Sequence, residues 1–270
     1  MPRRDPDPDF IESIARGFDV IKAFDEQRPV MSLSEVASAA QLARPTARRI
    51  LRTLDSLGYV RVAGAGYALT PRVLELGSAY VQSLGLWDVA RPHMEGLVGK
   101  THESSSIAQL DGSDIVYVGR VAVPKIITLA VQIGTRFPAP ATSLGKVLLA
   151  GLDNDALDRV LAQPSRAGVV AKWQPDRSEL DAALREVRAR GWALTDEQLA
   201  SGIRSIAAPL RDGSGRVVAA MNVTVHAAEV SVETLTGEYL PLLLQTASAV
   251  SADFAQYDTL PRRVVEPDVS

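Results

Sequence analysis

Two groups of side chains in this sequence have the types and spacing to do chemistry. Arg44, Arg48, Arg49 and Arg52 fall within nine positions with no acid among them, and Arg61 follows closely. A guanidinium holds five N–H donors in a planar fork that matches phosphate oxygens and the O6/N7 edge of guanine. The second group is polar residues set beside apolar ones: Ser205 before Ile206, and Asn222 and Thr224 around Val223. A hydroxyl or amide facing a core needs a partner, which a cavity holding a polar ligand provides; the alternative is that these residues face water. Ser143 and Lys146 form an S-x-x-K pair, the nucleophile pattern of penicillin-binding proteins, but neither S-D-N nor K-T-G follows, so no enzyme is expected.

The whole chain narrows the partners. Its 270 residues, 46% hydrophobic and with a net charge of −3, suit a folded protein of two ordinary domains. There is no cysteine, and His93, His102 and His226 are too far apart for a local ligand pair, so neither a metal nor a cofactor is expected. No apolar run reaches the length of a membrane span, and MPRRDPDPDF lacks the apolar core of a secretion signal. A soluble, cytoplasmic chain without membrane contact is expected. From Arg44 to Arg61 there are five arginines against one acid, Asp55. A basic surface on an acidic chain asks for an anionic partner, because the molecule's overall charge supplies no such attraction.

The arginines need a helix to present them. At 100° per residue Ala47, Ile50, Leu51, Leu54 and Leu57 share an arc of about 120°, while Arg48, Arg49 and Arg52 centre about 170° away. Pro45 suits the first helical turn and Gly58 ends the helix. Upstream, Ser32 and Glu35 read as a capping box opening a short helix with Leu33, Val36, Ala37 and Ala40 on its apolar stripe. Only Gln41–Ala43 separate the two, the spacing of a helix-turn-helix. An earlier stripe, Ile11, Ile14, Phe18 and Ile21, supplies a third helix to cover their apolar faces. Tyr59–Val62 and Tyr67–Leu69 flank Ala63-Gly64-Ala65-Gly66 as a two-stranded wing. In such a unit the N-terminal part of the second helix meets base edges. That assigns Arg44, Thr46 and Arg48 to base contact, and Arg49, Arg52 and Arg61 to phosphates.

The run from SLSEVASAAQLARPTARRILRTLDSLGYV to YALTPRVLELG resembles the winged helix-turn-helix and linker of the IclR family of bacterial transcription regulators. The family usually places a Ser or Thr cap at the start of the recognition helix, where this chain has Ala43-Arg44-Pro45. The expected organisation is a DNA-binding domain over 1–70, a linker helix over 71–85 opened by Thr70-Pro71, a second domain over 86–257 and a disordered tail over 258–270.

The second domain reads as α+β with a mostly antiparallel sheet. Helices are expected near 87–99, 143–151, 153–162, 178–190 and 231–256, the last kinked at Pro241. Strands are expected in a hairpin through Asp111-Gly112, from Ile126 to Ile133, and in a second hairpin, Ile203–Leu210 with Val217–Val225. Phe137-Pro138-Ala139-Pro140-Ala141 delivers the chain into a helix whose first N–H groups, near Ser143 to Lys146, can receive an anion; Thr142 or Ser143 as a plain N-cap is the alternative. Asp196, Glu197 and Gln198 fall on a polar loop.

FPAPATSLGKVLLA, WALTDEQLASGIRSIAAPLRD and VVAAMNVTV resemble the IclR effector-binding domain, a GAF/profilin-like fold, so the likeness runs from about residue 10 to 256. It implies a cavity for a small organic acid, with Ser143, Leu144, Asp196, Ser205, Asn222 and Thr224 at matching positions. Ser205 stands where the family often has cysteine, and Gln198 where a second acid is usual. ESIARGFDVIKAFD and IGTRFPAPATSLGKVLLA are most similar to the branch controlling aromatic-acid catabolism through the β-ketoadipate pathway. An acid effector would want a cation, for which Arg136 is first choice and Arg204 second. The resemblance implies a regulator, dimeric or assembled as a dimer of dimers, that reads a palindromic operator under control of a protocatechuate- or β-ketoadipate-type acid. The rival reading is a metabolite-binding or protein-interaction module that keeps the winged-helix scaffold without reading DNA.

Overall fold

The structure, a computed structural model, describes residues 9–77, 85–124 and 131–259. Its internal contacts divide the chain into two units, Met1–Ser83 and Leu84–Ser270.

The first unit contains α1 (Glu12–Lys22), β1 (Val30–Met31), α2 (Leu33–Ala39), α3 (Arg44–Ser56), β2 (Val60–Ala63) and β3 (Gly66–Leu69). Ser32 and Glu35 make the reciprocal capping box on α2. The hairpin β2–β3 gains β1 on its other side, giving the antiparallel order β1-β3-β2. Gly66 permits that pairing, since a Cβ there would stand 2.7 Å from the Met31 carbonyl oxygen. Val20, Phe24, Met31, Val36, Leu51, Leu54 and Val60 form the core. Four apolar residues, Leu57 on α3 and Ile11, Ile14 and Phe18 at α1, are turned differently from expectation. Leu57 leaves the buried arc as the C-cap of α3 and is 51% exposed, because the chain reverses at Gly58 with φ +81°. On α1 the buried residue is Val20, whereas Ile11, Ile14 and Phe18 are 59%, 56% and 48% exposed. The helix has two apolar faces, Phe18 and Ile11 lying roughly 160–180° around the wheel from Val20, and this unit covers only one.

After β3, Thr70 caps a 3₁₀ turn at Pro71–Val73, and the chain stays helical to Gly77. The remainder of the expected linker helix lies outside the described residues, as does the expected tail from residue 260 on.

The second unit begins with α4 (Leu86–Thr101), β4 (Ser104–Asp111), β5 (Asp114–Val121), β6 (Arg136–Pro138), α5 (Ser143–Ala150) and α6 (Asn154–Leu161). It continues with α7 (Arg177–Arg190), β7 (Ala193–Asp196), β8 (Ile203–Arg211), β9 (Val217–His226) and α8 (Leu240–Thr259). The strands form one antiparallel sheet in the order β6-β5-β4-β9-β8-β7. α4 and α8 pack on one face over Ile107, Ile206, Met221 and Val223. α5 and α7 cover the other over Ala108, Ala193, Ala207 and Ala220. Those alanines let α5 approach closely, and Gly145 lies against the Ala139 backbone with no room for a Cβ.

Three expectations change here. Of the strand expected over 126–133, residues 126–130 lie outside the described residues and 131–133 are coil and turn. Gln132 and Thr135 close that turn, Gly134 takes φ +89°, and the strand starts only at Arg136. Asp196, expected in a loop, ends β7 opposite Arg204. The closing helix is broken into a turn at Val232–Thr234, a π-helical segment Leu235–Tyr239, and α8. Pro241, one residue into α8, has no N–H and its ring crowds the carbonyl four residues back, so the turn before it widens.

Candidate functional site

In the first unit α3 carries its arginines outward. Arg44, Arg48, Arg49, Arg52 and, on β2, Arg61 are exposed, Thr46 is half-buried, and Ala47, Leu51 and Leu54 are buried behind them. None of the five has an acidic partner among the described residues. By contrast Arg16, Arg28, Arg72, Arg91, Arg177 and Arg216 all sit on carboxylates. Ala43 gives α3 no side-chain cap, and Pro45 lies in its first turn. The N–H groups of Arg44 and Thr46 are thus left to an outside acceptor, at the positive end of a helix dipole. Five unpaired guanidiniums and an uncapped N-terminus make an anion-binding surface.

In the second unit the sheet face under α5 encloses a cavity of about 60 Å³. Ser143, Leu144, Ser205, Asn222 and Thr224 line it, together with Ser104, Tyr117, Arg120, Val131, Thr195, Leu199 and His226. The sheet register explains the grouping. Ser104, Thr224, Ser205 and Thr195 are successive cross-strand neighbours, and Arg120, Ser106 and Asn222 form the next row. The hydroxyls hold one another: Ser143 Oγ is 2.7 Å from Ser205 Oγ, and Asn222 Nδ2 donates to Thr224 Oγ1 at 2.9 Å and Ser205 Oγ at 3.3 Å. Asn222 Oδ1 accepts from the Ser106 N–H at 2.9 Å. Above them Thr142 caps α5, its Oγ1 accepting from Gly145 N–H and its carbonyl from Lys146 N–H, which leaves the N–H groups of Ser143 and Leu144. His226 Nδ1 accepts from Ala228 N–H at 3.2 Å, which in the neutral ring puts the proton on Nε2.

Arg120 is the cation of this cavity, and sequence alternation does not point to it. Ala108 pairs with Tyr117 and Ile107 with Gly119, so Val118 is an extra residue bulged out of β5. The bulge puts Tyr117 and Arg120, three apart, on the same face; regular alternation would send them to opposite faces. Arg120 donates to Ser106 Oγ at 2.9 Å and has no carboxylate partner among the described residues. Burial pushes its pKa down, and burial pushes the Tyr117 phenol up to about 12, with the Arg120 charge opposing that rise. The phenol is therefore a neutral hydroxyl, and the guanidinium is a partly desolvated charge without a counter-ion among the described residues.

Three expected participants stand elsewhere. Arg136 is held by Asp111 at 2.6 Å and by buried Asp114 at 3.4 Å, and does not line the cavity. Asp196 is exposed and takes both forks of Arg204, at 2.8 and 3.0 Å, so each neutralises the other outside the cavity. Ser143 and Lys146 diverge as well: Lys146 Nζ donates to Gln198 Oε1 at 2.5 Å and sits 4.2 Å from the Trp173 ring centre, while Ser143 bonds Ser205. Among the described residues no base is hydrogen-bonded to the Ser143 hydroxyl. Among the described residues no acidic or histidine group could hold a metal, and no helix is long and apolar enough to cross a membrane.

Residues 13–64 match the IclR helix-turn-helix domain, and residues 78–252 match the bacterial transcriptional regulator IclR C-terminal family. The chain is 38% identical over 239 residues to the Pca regulon regulatory protein of Pseudomonas putida, covering 88% of this chain and 82% of that one. A crystal structure from Rhodococcus sp. RHA1 is 47% identical with a TM-score of 0.80, covering 92% of this chain and all of the other. The fold also matches an IclR homologue from Microbacterium hydrocarbonoxydans complexed with 4-hydroxybenzoate, at 23% identity and TM-score 0.77, covering 90% and 99%. An outward arginine helix in a winged unit, joined in one chain to an α+β unit with a polar cavity, is the pairing these matches describe: the chain belongs to the IclR family and is a DNA-binding transcriptional regulator, not an enzyme.

Proposed function

We propose that this regulator is controlled by a small aromatic or dicarboxylic acid bound in the cavity under α5, and that it governs aromatic-acid catabolism. The observation that carries the reading is Arg120, a half-buried cation facing the cavity without a counter-ion among the described residues. A carboxylate there would form charge-assisted hydrogen bonds with the guanidinium. The Ser143–Ser205 pair, Thr195 and Thr224, which line the same cavity, are proposed to meet a hydroxyl of the ligand. The kinship with a Pca regulon regulator, and a fold neighbour that binds 4-hydroxybenzoate, support the same class of ligand. A cavity of about 60 Å³ is small for an aromatic acid, and we infer that binding widens it. That gives the ligand different affinities for two conformations, which is what control requires. Calorimetry with protocatechuate, 4-hydroxybenzoate and β-ketoadipate tests this; binding of at least one acid is expected, with its neutral amide bound at least tenfold more weakly. Silence from all three would refute it.

On DNA, Arg44, Thr46 and Arg48 are proposed to read base edges, with Arg49, Arg52 and Arg61 on phosphates. A cytoplasmic homodimer, able to pair into tetramers, would place two α3 helices on a palindromic operator. The exposed Ile11, Ile14 and Phe18 face of α1 supports self-association, since a soluble monomer rarely leaves such a stripe uncovered. Sedimentation of the Ile14→Glu protein tests it: loss of the larger species is expected, and an unchanged profile would remove α1 from the interface.

A further inference from the structure

The bulge that turns Arg120 into the cavity also places Gly119 on the opposite face of the sheet, and what covers it there is Trp87. A Cβ built on Gly119 would come within 2.6 Å of Trp87 Cζ3 and closer still to Cε3, so the indole lies directly on the glycine backbone. Trp87 is the second residue of α4, half-buried, and packs with Val121 against the core beneath α4 and α8. Gly85, in the left-handed conformation at φ +60°, is the N-cap that starts α4, and the chain before it leads to the DNA-binding unit.

We infer that Trp87 senses occupancy of the cavity: adjacent residues of one bulged strand touch the ligand on one face, through Arg120, and the first turn of α4 on the other, through Gly119. This rests on the effector reading above and adds its route of transmission. Widening the cavity beside Arg120 bears on the β5 backbone at 119–120, which sits next to the bulge where the ladder is already interrupted, and Gly119 has no side chain to absorb a displacement there. The indole, in contact with that backbone, must move or resist. A packed core has discrete arrangements rather than a continuous range, so a small shift becomes a changed setting of α4. Coupling is reciprocal, and altering Trp87 or Gly119 must therefore change ligand affinity although neither residue lines the cavity.

The test is ¹⁹F NMR on the full chain labelled with 5-fluorotryptophan, which gives one resonance each for Trp87, Trp173 and Trp192, assigned by single Trp→Phe variants. Titration with 4-hydroxybenzoate and with protocatechuate should shift the Trp87 resonance, saturating at the Kd found by calorimetry. Gly119→Ala should displace that resonance without ligand and weaken binding about tenfold. Trp87→Leu, which only removes bulk, should change affinity at least threefold with the fold intact by circular dichroism. Calorimetric binding with an unmoved Trp87 resonance, or Trp87→Leu with wild-type affinity, would overturn the inference and leave the effector reading standing. Silence in calorimetry from protocatechuate, 4-hydroxybenzoate and β-ketoadipate alike would overturn both.

Discussion

Replacing Lys146 by methionine should stabilise this protein at neutral pH and lose that advantage as the pH rises. Lys146 is 4% exposed, and its Nζ has a neutral partner, Gln198, and the face of Trp173 rather than a carboxylate. Burial lowers its pKa from 10.5 to about 8, with Arg190 adding to the fall and Glu186 opposing it. At about 1.4 kcal/mol per unit, holding the charged form inside the fold costs roughly 3 kcal/mol. The Gln198 hydrogen bond and the cation–π contact offset part of this, leaving an expected gain of about 1–3 kcal/mol for Lys146→Met at pH 7. The sign follows from proton binding. Between about pH 8 and 10.5 the unfolded chain holds a proton on Lys146 that the folded chain has released, so wild-type stability rises with pH through that window. Below it both states are protonated and the full cost persists. Urea unfolding of both proteins at pH 7, 8.5 and 9.5 measures the difference, which should shrink steadily. A difference that stays constant with pH, or Lys146→Met less stable at pH 7, would refute the assignment of Lys146 as a desolvated charge.

Other consequences are as direct. Arg49→Ala with Arg52→Ala should reduce the slope of log affinity against log salt for random duplex DNA by about 1.8, at roughly 0.9 per phosphate contact, measured by fluorescence anisotropy; an unchanged slope would take both residues off the backbone. Ser105, fully buried on the sheet face away from the cavity, has a hydroxyl with no partner among the described residues, so Ser105→Ala should be neutral or gain about 1 kcal/mol in chemical denaturation. Asp114→Asn should loosen the 165–166 segment, since this buried carboxylate accepts from Ser165 Oγ at 2.6 Å, Arg166 N–H at 2.7 Å and Arg136; faster hydrogen exchange at 165–167 is the expected readout.

Local signals were legible where one short rule decides the outcome. The capping box at Ser32, the outward arginines of α3, the Asp212–Gly215 hairpin and the Thr142–Ser143 entry into α5 all follow from spacing of a few residues. Ser205, Asn222 and Thr224 could be nominated because polar residues inside apolar strands stand out. What escaped depends on pairing between distant segments. Arg120 reads as one more solvent arginine until the β4 register shows the bulge at Val118. Arg136 and Arg204 look equally free in sequence, yet each lies opposite a carboxylate that only the sheet brings near. The stripe on α1 is apolar in sequence, but periodicity does not say which of two apolar faces a small core can cover.

On the proposed function, Arg120, partly buried and without a carboxylate partner among the described residues, gives the cavity its acid specificity. Calorimetry of wild type and Arg120→Met with the acid that binds wild type best, and with the matching neutral amide, isolates that charge. Losing a hydrogen-bonded ion pair of about 1.5–3 kcal/mol should weaken acid binding roughly 10- to 100-fold while amide binding changes little. Acid affinity that survives Arg120→Met unchanged would contradict the account.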